Sequence, residues 1–249
     1  MRKVFIIFSI LFTTAALAQP ASPSADDIAR RSYDILGGTT AWEKARYLAF
    51  TFNVERSGKL KDSYPQRLDR YSGDYRVSGK KENGTPFEVI MNVRTQQGRA
   101  TLNGSPVTNA AQLKELLDFG YRRFTNDTYW LLMPLRMIDS GVQRTYDGER
   151  SDSCGRTWDL LKLTVNEGAE LPQGVYWPWI NRDTGIVEEW DMKLQSMKPE
   201  DPPLQVMFRD YRRIAGLLIS LRREVRGKNQ IVRFDAIQIL PDVPKGAFE

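Results

Sequence analysis

Three carboxylates crowd into one short stretch, Glu188, Glu189 and Asp191 in IVEEWDMKL. A pair of acids across a substrate is what glycoside hydrolysis uses, one as acid and one as base or nucleophile. On a strand, Glu188 and Glu189 face opposite sides while Glu189 and Asp191 share one. A row of acids on one strand face reads first as a solvated surface. Other chemistry is scarce. The chain has no histidine, which removes Ser-His-Asp and Cys-His nucleophilic sites, histidine-ligated zinc and the usual base near neutral pH. Cys154, the single cysteine, sits in the turn-like SDSCGR, so an intramolecular disulfide framework is excluded. Neither a catalytic constellation, a metal site nor a cofactor motif is visible. The doublets Arg122-Arg123, Arg212-Arg213 and Arg222-Arg223 read as solvated edges, although an arginine turned inward could meet an anionic head group.

The 249 residues carry 36 basic and 31 acidic side chains, a net charge of +5. The excess is small and interspersed, unlike the clustered basic stripe of a nucleic-acid binder. MRKVFIIFSILFTTAALA has a basic start, an apolar stretch and the small-x-small site Ala16-Leu17-Ala18, the three parts of a secretory signal peptide. Cleavage after Ala18, a flexible leader over 19–24 and one domain over 25–249 follow as expectations. With no cysteine after the cleavage region to take an acyl anchor, the exported product is expected to be soluble.

The elements that must position these residues are mostly strands. A helix is expected from Ala25, with Ser24 as its N-cap, ending at Gly37-Gly38. Leu48, Phe50, Phe52 and Val54 alternate with smaller or polar residues, as do Phe87, Val89, Met91 and Val93. After a helical middle capped by Asn109, alternation resumes with Leu161, Leu163 and Val165; with Val175, Trp177 and Trp179; and with Trp190, Met192 and Leu194. About ten strands joined by short turns imply antiparallel neighbours, and a sheet of that size curls. The expected class is α+β, an open, strongly curved antiparallel half-barrel with helices plugging its concave face.

The apolar run NDTYWLLMPLRM (126–137) falls where those helices would enter the sheet's mouth, with Asn126–Thr128 expected to cap a new turn and Pro134 to end it. It is too short to span a bilayer, which takes about 20 apolar residues. With it, Phe50, Phe52, Met91, Tyr129, Trp130, Leu132, Met133, Trp177, Trp179 and Trp190 become candidates to line an apolar ligand cavity, filled core being the plainer reading.

The segments ILGGTTAW, YLAFTFNVERSG, RLDRYSGDYRV, NDTYWLLMPLRM and YWPWINRDTGIVEEW resemble exported bacterial proteins of the LolA-like superfamily, the periplasmic lipoprotein carriers and related lipid-binding proteins. The resemblance runs from Ala25 to the last strand. It implies acyl chains held between sheet and helical lid, in a periplasmic protein with a lipid or acylated lipoprotein as partner and only transient, peripheral membrane contact. The carriers place an arginine inward near the lid, and Arg67, Arg70 or Arg76 could supply it. One other reading stands beside the carrier, an envelope sensor or protein-interaction module with a filled core and an envelope protein partner. An enzyme using Glu189 or Asp191 ranks last, with no histidine and no compact catalytic constellation, so the chain is expected not to be an enzyme.

Overall fold

The computed structural model describes residues 23–165 and 172–249. The expected signal peptide and most of the leader lie outside the described residues. The chain opens with α1 (Ala25–Ile35) and α2 (Gly38–Lys44). Ser24 caps α1 as expected: its hydroxyl accepts from the Asp27 amide at 3.1 Å, and its own amide donates to the Asp27 carboxylate at 3.1 Å. Gly37, at φ +130°, makes the break to α2. Six strands follow: β1 (Tyr47–Arg56), β2 (Lys59–Asp69), β3 (Asp74–Lys80), β4 (Pro86–Asn92), β5 (Gln97–Leu102) and β6 (Ser105–Pro106). A long helix, α3 (Ala110–Leu132), continues into a 3₁₀ segment, Met133–Ile138. Seven strands complete the chain: β7 (Val142–Ser151), β8 (Thr157–Val165), β9 (Gly174–Asn181), β10 (Val187–Leu194), β11 (Leu204–Ile214), β12 (Leu217–Val225) and β13 (Gln230–Leu240).

All these strands form one curled, unclosed antiparallel sheet in the order β6-β5-β4-β3-β2-β1-β13-β12-β11-β10-β9-β8-β7. The two halves are meanders, joined where β1 pairs with β13 from Tyr47↔Leu240 to Arg56↔Gln230. The described residues hold thirteen strands rather than about ten. The additions have physical causes: β6 is two residues long, and β7 is a mostly exposed, polar edge strand without apolar alternation. Such polarity is how an open edge resists pairing with another chain.

One face of the sheet is covered by the helices. The chain leaves one edge at β6 and returns at the other at β7, so α3 and the 3₁₀ segment cross the covered face; twenty-three helical residues run about 35 Å. The helix is continuous through Asn126–Thr128. These residues do not cap a new turn as the sequence reading had it, because Asp127 is ion-paired to Arg123 one turn back and the helix carries on. Pro134 does end α3, lying at the start of the 3₁₀ segment.

Under the helices lie two apolar cores. The first joins β1–β5, β12, β13, α2 and α3 around Phe50, Phe52, Met91, Leu131 and Phe234. The second joins β8–β11, α1 and the 3₁₀ segment around Tyr129, Met133, Tyr176, Trp190 and Phe208. Half-buried Trp130, Ile138 and Tyr211 pack against both. At Gly120, α3 lies so close to β4 that a Cβ there would sit 2.9 Å from Val89 Cγ1. Gly120→Val should therefore cost about 1–3 kcal/mol of stability through overpacking, read as a lowered urea midpoint at unchanged slope.

Candidate functional site

The covered face is apolar, and two polar anchors hold the plug to it. The first starts from β2 and β3. Tyr75 donates to Gln66 Oε1 at 2.6 Å, the Gln66 amide donates to Asp127, and Asp127 pairs with Arg123 on the same helix, whose Nε lies 2.9 Å from Asp127 Oδ2. The Arg123 guanidinium also lies 4.6 Å from the Tyr64 ring centre and 5.3 Å from that of Phe52. Burial pushes the Asp127 carboxyl above its ordinary range, while Arg123, Asn126 and Gln66 hold it down.

The second anchor is Arg223. The sequence reading placed it on a solvated edge, but it is fully buried on β12. Its Nη1 donates to the Ser220 carbonyl at 2.5 Å and its Nη2 to the Leu131 carbonyl at 3.2 Å, and its Nε has no hydrogen-bond partner among the described residues. Among the described residues no carboxylate pairs with it. Instead it lies 4.2 Å from the ring centre of Phe208 in one core and 5.0 Å from that of Phe234 in the other. Burial lowers its pKa to about 9, so it is still a cation at neutral pH. The Leu131 carbonyl belongs to the last turn of α3, where acceptors are orphaned and the helix dipole favours a cation. Asp127 and Leu131 are four residues apart, so both anchors grip neighbouring turns of one helix face. A signal for Arg223 existed: Leu217, Ile219 and Val225 are buried at every second position, and residue 223 falls on that spacing.

Arg67 and Arg76 do not face inward. With Arg99 they lie on the outer face and donate to the carbonyls of Ala247, Glu249 and Phe248 at 3.1–3.2 Å, strapping the C-terminal residues across the sheet. Arg70 sits at the sheet's end, over the Trp42 ring.

The cavity candidates divide by face. Phe50, Phe52 and Met91 form the floor under α3, and Trp190 is floor in the second core. Tyr129, Leu132 and Met133 are buried on the plug's underside, and half-buried Trp130 bridges the cores. Trp177 and Trp179 are not with them. In the β9–β10 register Trp177 opposes Asp191 and Trp179 opposes Glu189, whereas Tyr176 and Pro178 oppose Met192 and Trp190. Directly opposed residues share a face, so both tryptophans stand on the outer face. Alternation misleads here because YWPWI is apolar at every position, leaving both parities equally eligible.

The same register brings Glu189 and Asp191 to that outer face, but not into solvent. Glu189 is 5% exposed, walled by Trp179 and Met207, with Arg226 at 2.8 Å. Burial pushes its carboxyl up to about 7, against Arg226, and neighbouring Asp191 raises it further; burial also raises Asp191. A buried acid this close to a half-buried one retains a proton toward neutral pH. Among the described residues no group of three or more His, Cys, Asp or Glu could hold a metal ion.

Beside the plug the covered face opens. A cavity of about 1140 Å³ lies between the first half of α3 and one end of β2–β4, with Tyr64, Phe87, Leu116 and Phe119 as its apolar lining. Phe119 meets Phe87 edge-on at 5.3 Å and Tyr64 at 6.0 Å. Lys61, Lys80 and Arg122 at its rim have no acidic partner among the described residues; Lys81 pairs with Glu115 at 3.5 Å. An apolar floor under a mixed rim with unpaired cations suits an apolar chain with a polar end.

No protein-family model matches the chain, and no curated protein matches it. Solved structures do. A LolA superfamily protein from Nitrosomonas europaea aligns over 92% of this chain and 98% of its own, at 10% identity and a TM-score of 0.51. A DUF1329 family protein from Desulfovibrio piger aligns over 89% and 97%, at 14% identity and a TM-score of 0.50. The chain has a LolA-like fold. Among the described residues no helix is long and apolar enough to cross a membrane, which leaves membrane-crossing strands unaddressed.

Two measurements follow. Asp127→Ala, which strands Arg123 and Gln66, should destabilise by about 3 kcal/mol, and its double-mutant cycle with Arg123→Ala should show a coupling above about 1 kcal/mol. For Glu189 the folded pKa is raised from 4.5 to about 7, so its contribution to stability is full below about 4.5 and is lost as pH rises through about 7. The urea midpoint of the wild type relative to Glu189→Gln should therefore fall between pH 5 and pH 8; a flat difference would contradict the raised carboxyl.

Proposed function

We propose that this chain is a periplasmic carrier or binding protein for lipids or acylated lipoproteins, holding acyl chains between the sheet and the α3 plug. The observation that carries the reading is the plug itself: a helix across an apolar sheet face, held by two polar anchors and flanked by an opening of about 1140 Å³ with an apolar floor and a charged rim. Lifting it would expose Phe50, Phe52, Met91 and Trp190 to an incoming chain and leave Arg223 free for an anionic group. Transfer of apolar chain out of water supplies about 0.8 kcal/mol per methylene, so binding needs no reaction, and plug movement would gate entry and release. The reading takes the N-terminal segment as a cleaved export signal and membrane contact as transient.

A second reading rests on how completely the closed plug fills the interior, with Met133 at 0% exposure. On it the chain is an envelope sensor or protein-interaction module whose covered face is ordinary core.

A disulfide lock separates the two. A Cβ at Gly120 would lie 3.4 Å from Val89 Cβ, close to disulfide geometry, and Val89→Cys removes the methyl that crowds it. In a Cys154→Ser background, Gly120→Cys with Val89→Cys should bind a fluorescent fatty acid when reduced and fail when oxidised. Uptake that ignores the lock would show that the plug does not gate binding. Absence of uptake in every form, with no copurified lipid by native mass spectrometry, would favour the second reading.

A further inference from the structure

A second opening lies on the other flank of α3. It occupies the opposite end of β2–β4 from the first, where Leu68, Arg70 and Gly73 face Val93, Arg94 and Gln96, and its volume is about 530 Å³. We propose that it is a binding site for a phosphate dianion, either the monoester head group of a single-chain amphiphile or free phosphate.

Three features carry this. The first is charge. The opening is lined by three guanidiniums, Arg70, Arg94 and Arg136, and one carboxylate, Asp139, which Arg136 already engages. Arg70 and Arg94 donate only to main-chain carbonyls among the described residues: Arg70 Nη1 to Trp42 at 2.8 Å and Ala45 at 2.6 Å, and Arg94 Nη2 to Tyr71 at 2.6 Å. Two of the three cations therefore make no ion pair among the described residues, with Asp139 the one carboxylate lining the opening.

The second is preorganisation. The Arg70 guanidinium lies 3.4 Å from the centre of the Trp42 ring, and both of its hydrogen bonds leave from Nη1. Nε and Nη2 make no hydrogen bond among the described residues, and they form the edge of the fork that pairs with two oxygens of one phosphate. Burial lowers the Arg70 pKa, with neighbouring Arg136 pushing the same way, a cost that a bound anion would relieve.

The third is shape. Trp42, Phe124 and Tyr129 wall the opening, and its volume falls in the small-ligand range of about 300–1,000 Å³. A dianion on the arginines would leave an attached apolar tail running along these rings toward Leu132 on the plug's underside. The inference extends the lipid-binding reading without depending on it, since the arginines and Trp42 stand outside the two anchors.

The test is calorimetric titration with dodecyl phosphate, dodecylphosphocholine and inorganic phosphate. Wild type should bind dodecyl phosphate at least about tenfold more tightly than the zwitterionic compound, since a charge-assisted pair separates them. Arg94→Gln, on an exposed side chain and checked for native circular dichroism, should weaken it about tenfold. Arg70→Gln, checked for native circular dichroism, should weaken it further. Inorganic phosphate bound with the same arginine dependence would support the site and identify free phosphate as its ligand. Equal affinity for the two amphiphiles, affinity unchanged in both variants, or no binding of either phosphate compound would overturn it. The oxidised plug lock separates the two readings: if fatty-acid uptake fails in every form while phosphate still binds through Arg70, the carrier reading falls and this site stands.

Discussion

A cation without a carboxylate, buried between two cores, is the constraint on which this structure turns. Removing a guanidinium from water is costly unless its charge and N–H groups are met. Arg223 is met by two carbonyls and two aromatic faces, and one of those carbonyls, at Leu131, belongs to the plug. The plug is therefore part of the arginine's solvation. The same contact gives the end of α3 an acceptor's partner that its own backbone cannot supply. Sheet and helix each correct a deficit in the other, and a ligand able to replace the Leu131 carbonyl would remove one reason for the plug to stay closed.

The polar anchors are also what divides the interior. Phe208 and Phe234, on either side of Arg223, belong to different cores, and only half-buried side chains such as Trp130 and Tyr211 reach both. The outer face follows another logic. There arginines on β2, β3 and β5 hold the C-terminal residues down, while Glu189, Asp191 and two tryptophans form a half-buried patch on β9 and β10. Polar work on this sheet is thus split between its faces: fixing the plug within, and holding a tail and a pair of close carboxyls without.

Much of this was legible in the residues. Clean alternation placed Leu48 to Val54 and Phe87 to Met91 on the covered face, and the caps at Ser24 and Asn109 located two helix starts. The Asn126–Thr128 segment misled because a cap and a buried ion pair use the same residue types, and only the partner, Arg123 one turn earlier, distinguishes them. Trp177 and Trp179 misled because both faces of β9 are apolar. Glu189 and Arg223 were hidden because charge argues for solvent, and what overrides it, a tryptophan wall or a helix end, comes from segments far away in the chain. The edge strand β7 escaped because its role is to be polar.

The pairing of β1 with β13 has a consequence in time. Residues about 180 positions apart, such as Asn53 and Arg233, lie side by side there, and this seam alone joins the two halves of the sheet. During synthesis, β1 waits for almost the entire chain before it acquires that neighbour. Contacts of such long range form slowly, because the loop must close before any of them is made. Until then β1 presents an open edge, and the apolar floor behind it lacks half its support. The fold is completed by one late event, the meeting of its first strand with its last.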